Sequence, residues 1–214
     1  MSRTAVIAGA SGLVGGHLLE LLLADRAWDR VVSVGRRELD LAHPKLTQLV
    51  VPFPAIGELP RSDDVFCCLG TTMKKAGGRN AFRVIDHDAV IALAGSAYRN
   101  GATHFLHVTA LGASPKSKIF YNKVKGDTEY FVEAMGIPTT VAFRPSMIDG
   151  ERAERRVAEA AGLRAMRLLG PVLGKYRPTR VEDIARAMVN EAKRLEPGHR
   201  VVEADEIPRV AAAG

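Results

Sequence analysis

Tyr121 and Lys125 stand four residues apart in a stretch of helical periodicity running from Phe120 to Met135, a spacing that puts both side chains on one face. An ammonium beside a phenol favours the phenolate and pulls down a pKa that starts at about 10, so such a tyrosine can pass a proton near neutrality. That chemistry suits reduction of a carbonyl, where a developing oxyanion has to be protonated. Thr109 ends the preceding apolar run and offers a hydroxyl that could hold a substrate oxygen. By itself Tyr-x-x-x-Lys recurs by chance on many helices. Its weight depends on the elements that carry it.

Those elements begin with Gly9-Ala-Ser-Gly12-Leu-Val-Gly15, which follows a short apolar run at residues 4–8 and opens a helix over residues 13–24. Glycines at these places permit a tight turn, close approach of a pyrophosphate to the backbone and close helix-to-strand packing, while the helix N-terminus supplies N–H donors. About 20 residues further on, an NAD-preferring fold usually offers a carboxylate to the adenosine ribose. This chain offers Gly35-Arg36-Arg37 instead. Two guanidinium groups there can grip a 2′-phosphate, and the sequence therefore predicts NADP(H).

Further apolar runs at 31–34, 46–51 and 65–69 each stop at a glycine or proline. Helical periodicity returns across 82–98, and strands are expected at 104–108 and 139–143. Strands apolar throughout, alternating with helices, predict an α/β protein with a doubly wound parallel sheet covered on both faces. Beyond Pro145 the pattern loosens. Residues 149–156 are charged, 158–169 read as a helix, 170–178 as a loop, a last helix starts near Val181, 200–203 suit a final strand, and the tail from Val210 is expected to fray. One domain over 1–214 is expected, with 145–180 forming a small substrate-side region.

Composition narrows the function classes. Apolar residues at 47% and charged residues at 25% describe a folded globular chain. The net charge of +6 is uneven: up to Gly70 there are 7 basic and 8 acidic residues, so the excess lies in the later part. No aromatic residues interleave with the Arg152, Arg155 and Arg156 cluster, and sequence-specific nucleic-acid binding is not expected. Lys74, Lys75, Arg79 and Arg83 read either as a solvated helix approach or as a cationic rim near the cofactor. Cys67 and Cys68 are adjacent and unsuited to a disulfide, the six histidines show no ligand spacing, and no metal site is expected. Without a membrane-spanning run or an export signal, and with both cysteines expected to be reduced, a cytoplasmic protein is expected.

Together the glycine loop, Tyr121 and Lys125 resemble the short-chain dehydrogenase/reductase superfamily over nearly the whole chain. More narrowly, Cys67-Cys-Leu-Gly-Thr-Thr72, Phe82-Arg-Val-Ile-Asp86, Gly112-Ala, Tyr121-Asn-Lys-Val-Lys-Gly126 and Phe143-Arg-Pro145 are similar to the atypical branch holding the Tat-interacting-protein oxidoreductases. The resemblance implies a Rossmann fold and an NADP(H)-dependent oxidoreductase acting on a small carbonyl or enone, with Tyr121 as general acid/base. It implies Lys125 on the nicotinamide ribose and Thr109 in the usual serine's place. For the cofactor it implies Gly9, Ser11, Gly12, Leu13, Val14 and Gly15, with Leu69, Gly70, Thr71 and Thr72 beside it and Pro145 and Met147 by the nicotinamide. Asp86 stands where related enzymes often carry an asparagine, and Pro52 where they often carry an aspartate. The alternative is an NADP(H)-binding regulatory protein or redox sensor without turnover, since the family is associated with protein partners. Whether the chain forms a homodimer stays open.

Overall fold

The computed structural model describes residues 3–149, 176–194 and 196–214. Nine strands are present among them: β1 (Arg3–Ala8), β2 (Trp28–Gly35), β3 (Leu46–Val50), β4 (Asp64–Cys67), β5 (His104–Val108), β6 (Thr139–Arg144), β7 (Ile148–Asp149), β8 (Thr179–Arg180) and β9 (Gly198–Glu203). The helices are α1 (Leu13–Ala24), α2 (Met73–Ala76), α3 (Arg79–Arg83), α4 (Ala89–Arg99), α5 (Phe120–Glu133), α6 (Val181–Arg194) and α7 (Ile207–Ala212), with a π turn over Val84–Asp88 between α3 and α4. Seven strands make one parallel sheet in the order β3-β2-β1-β4-β5-β6-β9, and β7 pairs with β8. This is the doubly wound Rossmann arrangement the alternation predicts.

Strand period explains the two cores. Ile7, Phe66 and Leu106 point to the face covered by α1 and α6, where they meet Leu18, Leu22, Ile184 and Met188. Their neighbours Val6, Val65 and Phe105 point the other way, onto Val90 and Leu93 of α4 and Val132 of α5. Both faces are dry, so the strands read as continuous apolar runs. β1 pairs with β2 on one side and β4 on the other, which makes the C-terminal edge of β1 the point where the winding reverses. Ala8 pairs with Cys67, Cys67 with His107 and Val108 with Phe143, so the loops after β1, β4, β5 and β6 emerge at one edge of the sheet.

Two expectations are corrected. The helix read as continuous over 82–98 contains the π turn, whose extra residue carries Asp86 and His87 into the interior. The widened turn is held by Thr128 of α5, whose hydroxyl donates to Asp86 O at 2.9 Å. Within the tail, Val210–Ala212 close a helix rather than fray, and only Ala213 and Gly214 run beyond it. Ile207 is fully buried, Pro208 sits in the first turn of α7, and Asn190 Nδ2 donates to Val210 O and Ala211 O at 2.9 and 3.2 Å, capping the helix end. The helix expected at 158–169 and most of the region 145–180 lie outside the described residues.

Candidate functional site

The glycine loop closes the end of β1 onto α1. Gly9 has φ of +88°, and a Cβ there would lie 2.5 Å from Cys68 O of the strand-end beside it. A Cβ on Gly15 would run into the Gly9 backbone, so glycine at both places lets helix and strand pack this closely. Gly12 caps α1 with no side-chain hydrogen bond, and no acidic residue lies in the first turn. The first N–H groups of a 12-residue helix therefore face the winding reversal without a side-chain acceptor from the cap. A dinucleotide pyrophosphate fits that arrangement. Arg36 and Arg37 are exposed directly after β2, the next strand over.

Across the reversal, α5 presents Tyr121 and Lys125. Gly126 makes this possible, because a Cβ there would collide with Ser114 and Pro115 of the incoming loop. Lys125 is 4% exposed, and its Nζ lies 2.7 Å from Asp86 Oδ1. Asp86, 1% exposed on the π turn, accepts from Thr71 N through Oδ2 at 2.9 Å. Gly70 sits over the pair: a Cβ on it would stand 3.5 Å from Asp86 Oδ1 and 3.7 Å from Lys125 Nζ. Burial acts to lower the pKa of Lys125, but the Asp86 carboxylate and the Tyr121 oxygen more than offset it and hold the ammonium above its ordinary value. Lys125 is a fixed cation one turn along α5 from Tyr121. The half-buried Tyr121 ring packs 5.1 Å from that of Phe82.

Two neighbours stay uncharged. Burial, with Lys125 and Arg144 adding to it, pushes the pKa of His107 down to about 3. Burial pushes the Cys67 thiol up to about 12, which argues against a thiolate there. Cys68 is likewise raised, by burial and by Cys67.

The loops bring most of the expected residues to this edge. Leu69, Gly70, Thr71 and Thr72 follow β4, and Thr72 caps α2 by accepting from Lys75 N at 3.2 Å. Pro145 is buried beside the loop after β5, accepting from Leu111 N at 2.9 Å, while Met147 is 54% exposed. Thr109 is placed differently. Its hydroxyl donates to Glu129 Oε1 at 2.6 Å, and Glu129 in turn holds Arg144 by two hydrogen bonds of 2.5 and 3.0 Å. Arg144 also reaches Glu203 Oε1 at 2.9 Å. The Thr109 proton is committed to this network rather than to Tyr121 or Lys125. Sequence reasoning missed the pairing of Asp86 with Lys125 and the role of Glu129. The available signals were a carboxylate inside the apolar periodicity of Phe82-Arg-Val-Ile-Asp86 and the i, i+4, i+8 series Tyr121, Lys125, Glu129.

A parallel sheet in this order, with a glycine loop at its reversal and a Tyr-Lys helix beside it, defines a protein of Rossmann fold. Solved structures share the fold: MoeE5 in complex with UDP-glucose and NAD superposes with a TM-score of 0.68 at 17% identity, over 98% of this chain and 81% of its own. A short chain dehydrogenase family protein from Francisella tularensis superposes at 0.69 with 13% identity, over 96% and 99%. No family model matches. Among curated proteins, HTATIP2 of Rattus norvegicus is 32% identical over 209 residues, 94% of this chain and 85% of that protein. Mitochondrial fmp52 of Aspergillus clavatus is 32% identical over 203 residues, 89% and 86%. The chain belongs to this HTATIP2/Fmp52 family. The expectation of a cytoplasmic protein is corrected by the same comparison, because the Fmp52 relatives are mitochondrial proteins. Reduced cysteines report on redox state and do not discriminate between compartments.

Proposed function

We propose that this protein is an NADP(H)-dependent oxidoreductase that reduces a small carbonyl or enone. One observation carries the reading: the buried Lys125 ammonium, paired to Asp86 and lying under Gly70, stands one helical turn from Tyr121 at the edge where the glycine loop emerges. Residues Gly9, Ser11, Gly12, Leu13, Val14 and Gly15 would hold the pyrophosphate, Arg36 and Arg37 the 2′-phosphate, and Leu69–Thr72, Pro145 and Met147 the nicotinamide half. NADPH, when bound, supplies the reducing equivalent. Tyr121 gives its hydroxyl proton to the substrate oxygen as negative charge develops there. Lys125 remains an ammonium throughout, would orient the Tyr121 oxygen by charge and would help hold the nicotinamide ribose of a bound cofactor. Asp86 keeps that ammonium in place through its second bond to Thr71 N. Thr109 would act on the substrate side through its link to Glu129.

The solved NAD complexes of similar fold support a nicotinamide cofactor. NADP(H) rests on Arg36 and Arg37. Fluorimetric titration should give NADPH at least tenfold tighter than NADH, about 1.4 kcal/mol, with the preference lost in Arg36→Ala/Arg37→Ala. Equal affinities in the wild type would overturn the assignment. A panel of aldehydes, ketones, quinones and enones that leaves NADPH unoxidised, despite tight binding, would favour the sensor.

A further inference from the structure

Away from Tyr121, several cations find carboxylates. Arg3 pairs with Asp64, Lys193 with Asp25, Arg144 with Glu129 and Glu203, and Arg200 with Glu191. The two segments that flank Tyr121 behave otherwise. Met73–Arg83 carries Lys74, Lys75, Arg79 and Arg83, the stretch 114–123 carries Lys116, Lys118 and Lys123, and neither contains an aspartate or glutamate. All seven cations are exposed. Among the described residues one of them meets a carboxylate, Arg83 with Asp127 at 3.8 Å. Arg79 lies over the Phe120 ring at 5.2 Å, and Lys123 reaches Pro115 O at 3.5 Å.

Both segments are tied to the tyrosine. Phe82 packs on the Tyr121 ring, and Ser114 N donates to Asn122 O at 3.0 Å, folding the loop back over the first turn of α5. That helix opens against the usual preference. Its cap residue Ile119 makes no side-chain hydrogen bond and no acid lies in its first turn, while Lys118 and Lys123 bracket a terminus that already carries partial positive charge. Like charges gathered at a mouth raise its potential and attract anions.

We propose that this rim selects a substrate bearing an anionic group, a carboxylate or phosphate, beside its reducible carbonyl. The inference rests on the proposed oxidoreductase reading and adds the substrate class. Sheet order separates the rim from the cofactor phosphates. The glycine loop and Arg36-Arg37 follow β1 and β2, whereas the rim follows β4 and β5, on the other side of the winding reversal.

A matched pair of probes tests it: para-carboxybenzaldehyde and its neutral methyl ester, titrated by saturation-transfer NMR into the full chain loaded with NADP⁺. The carboxylate should bind about fivefold or more tighter at low salt, and the gap should close at about 0.5 M salt, where the Debye length is only a few ångströms. The gap should also close in Lys116→Gln/Lys118→Gln, whose side chains make no ion pair among the described residues and whose NADPH affinity should stay at the wild-type value. Equal binding of the two probes by wild type, or no binding of either, overturns the rim. So does a double variant that loses NADPH affinity in step with the probe, since the rim would then serve the cofactor. Preferential binding without NADPH oxidation would sink the oxidoreductase reading and leave the anion rim standing.

Discussion

Asp64 begins β4 and Asp86 lies on the π turn beyond its other end, and both side chains are completely buried. Asp64 is saturated. Arg3 reaches its Oδ1 at 2.5 Å, His104 Nδ1 lies 3.2 Å from the same oxygen, and Trp28 Nε1 donates to Oδ2 at 2.7 Å. These partners come from β1, β5 and β2, so the carboxylate knots four strands together at their N-terminal ends. Asp86 has one cation and one backbone N–H, and a glycine faces it where a side chain would otherwise cover the pair. The difference teaches what a buried carboxylate is for. Ringed by a guanidinium, an indole and an imidazole it closes a sheet end; holding one lysine beneath a glycine it keeps a charge poised at an open end.

If the two ends differ in this way, substitutions should separate chemistry from stability. The largest effect is expected at the open end. Tyr121→Phe keeps the ring on Phe82 but removes the proton donor, so turnover should fall by about 10²–10⁴ while NADPH affinity and unfolding midpoint barely move. Lys125→Met should lower both turnover and affinity. Steady-state NADPH oxidation beside fluorimetric titration reads each quantity, and unchanged turnover in Tyr121→Phe would remove the proposed mechanism.

At the closed end the expectation reverses. Asp64→Ala strands Arg3, Trp28 Nε1 and His104, and should cost about 3–5 kcal/mol in urea unfolding, the usual scale when one partner of a buried ion pair is deleted. NADPH affinity per folded molecule should stay at the wild-type value. A loss below about 1 kcal/mol would show that the knot is not holding the strands.

The smallest effect sharpens the comparison through pH. In the wild type the folded-state pKa of Lys125 is raised, so its contribution is full below the unfolded value of about 10.4 and is lost only as pH climbs through the folded value. Asp86→Asn keeps an acceptor for Thr71 N but leaves burial unopposed, which reverses the sign: the unfolded chain then holds the proton more tightly. Stability of the variant should rise by about 1–2 kcal/mol between pH 7 and about 10, where the wild type shows no such gain. Besides Asp86, the titratable groups facing Lys125 are Tyr121, Cys67 and His107, of which Cys67 and His107 stay uncharged over this range. Both proteins are best compared in a Tyr121→Phe background, so that the phenol does not titrate. Parallel pH profiles would mean that Asp86 does not govern the ammonium.

Local patterns made much of the fold legible. The helix expected at 13–24 and the strand at 104–108 match α1 and β5 residue for residue, and Val181 starts α6. Each has a strong local cue: glycines before a leucine-rich helix, an apolar run between polar ends, and Glu182 and Asp183 in a first turn. The π turn had no such cue. Residues 82–98 keep helical periodicity on either side of it, and the inserted residue is stabilised by Thr128, 42 positions from Asp86. Nor did Val210–Ala212 announce the end of a helix, because Asn190 supplies the capping groups from α6. Thr109 was recognisable as a hydroxyl at a strand end, yet its partner Glu129 lies 20 positions away.

By itself the sequence determined the alternation of strands and helices, the glycine loop, the absence of a carboxylate after β2 and the shared face of Tyr121 and Lys125. These follow from spacing within a few residues, where chain geometry leaves little choice. Only the tertiary structure decided which charges met. Asp64 and His104 pair because their strands are neighbours in register, Asp86 finds Lys125 because a π turn rotates it inward, and the rim lysines meet no carboxylate among the described residues because the loops around Tyr121 carry no acid. Charge pairing at such separations is settled by packing, and no periodicity in the chain encodes it.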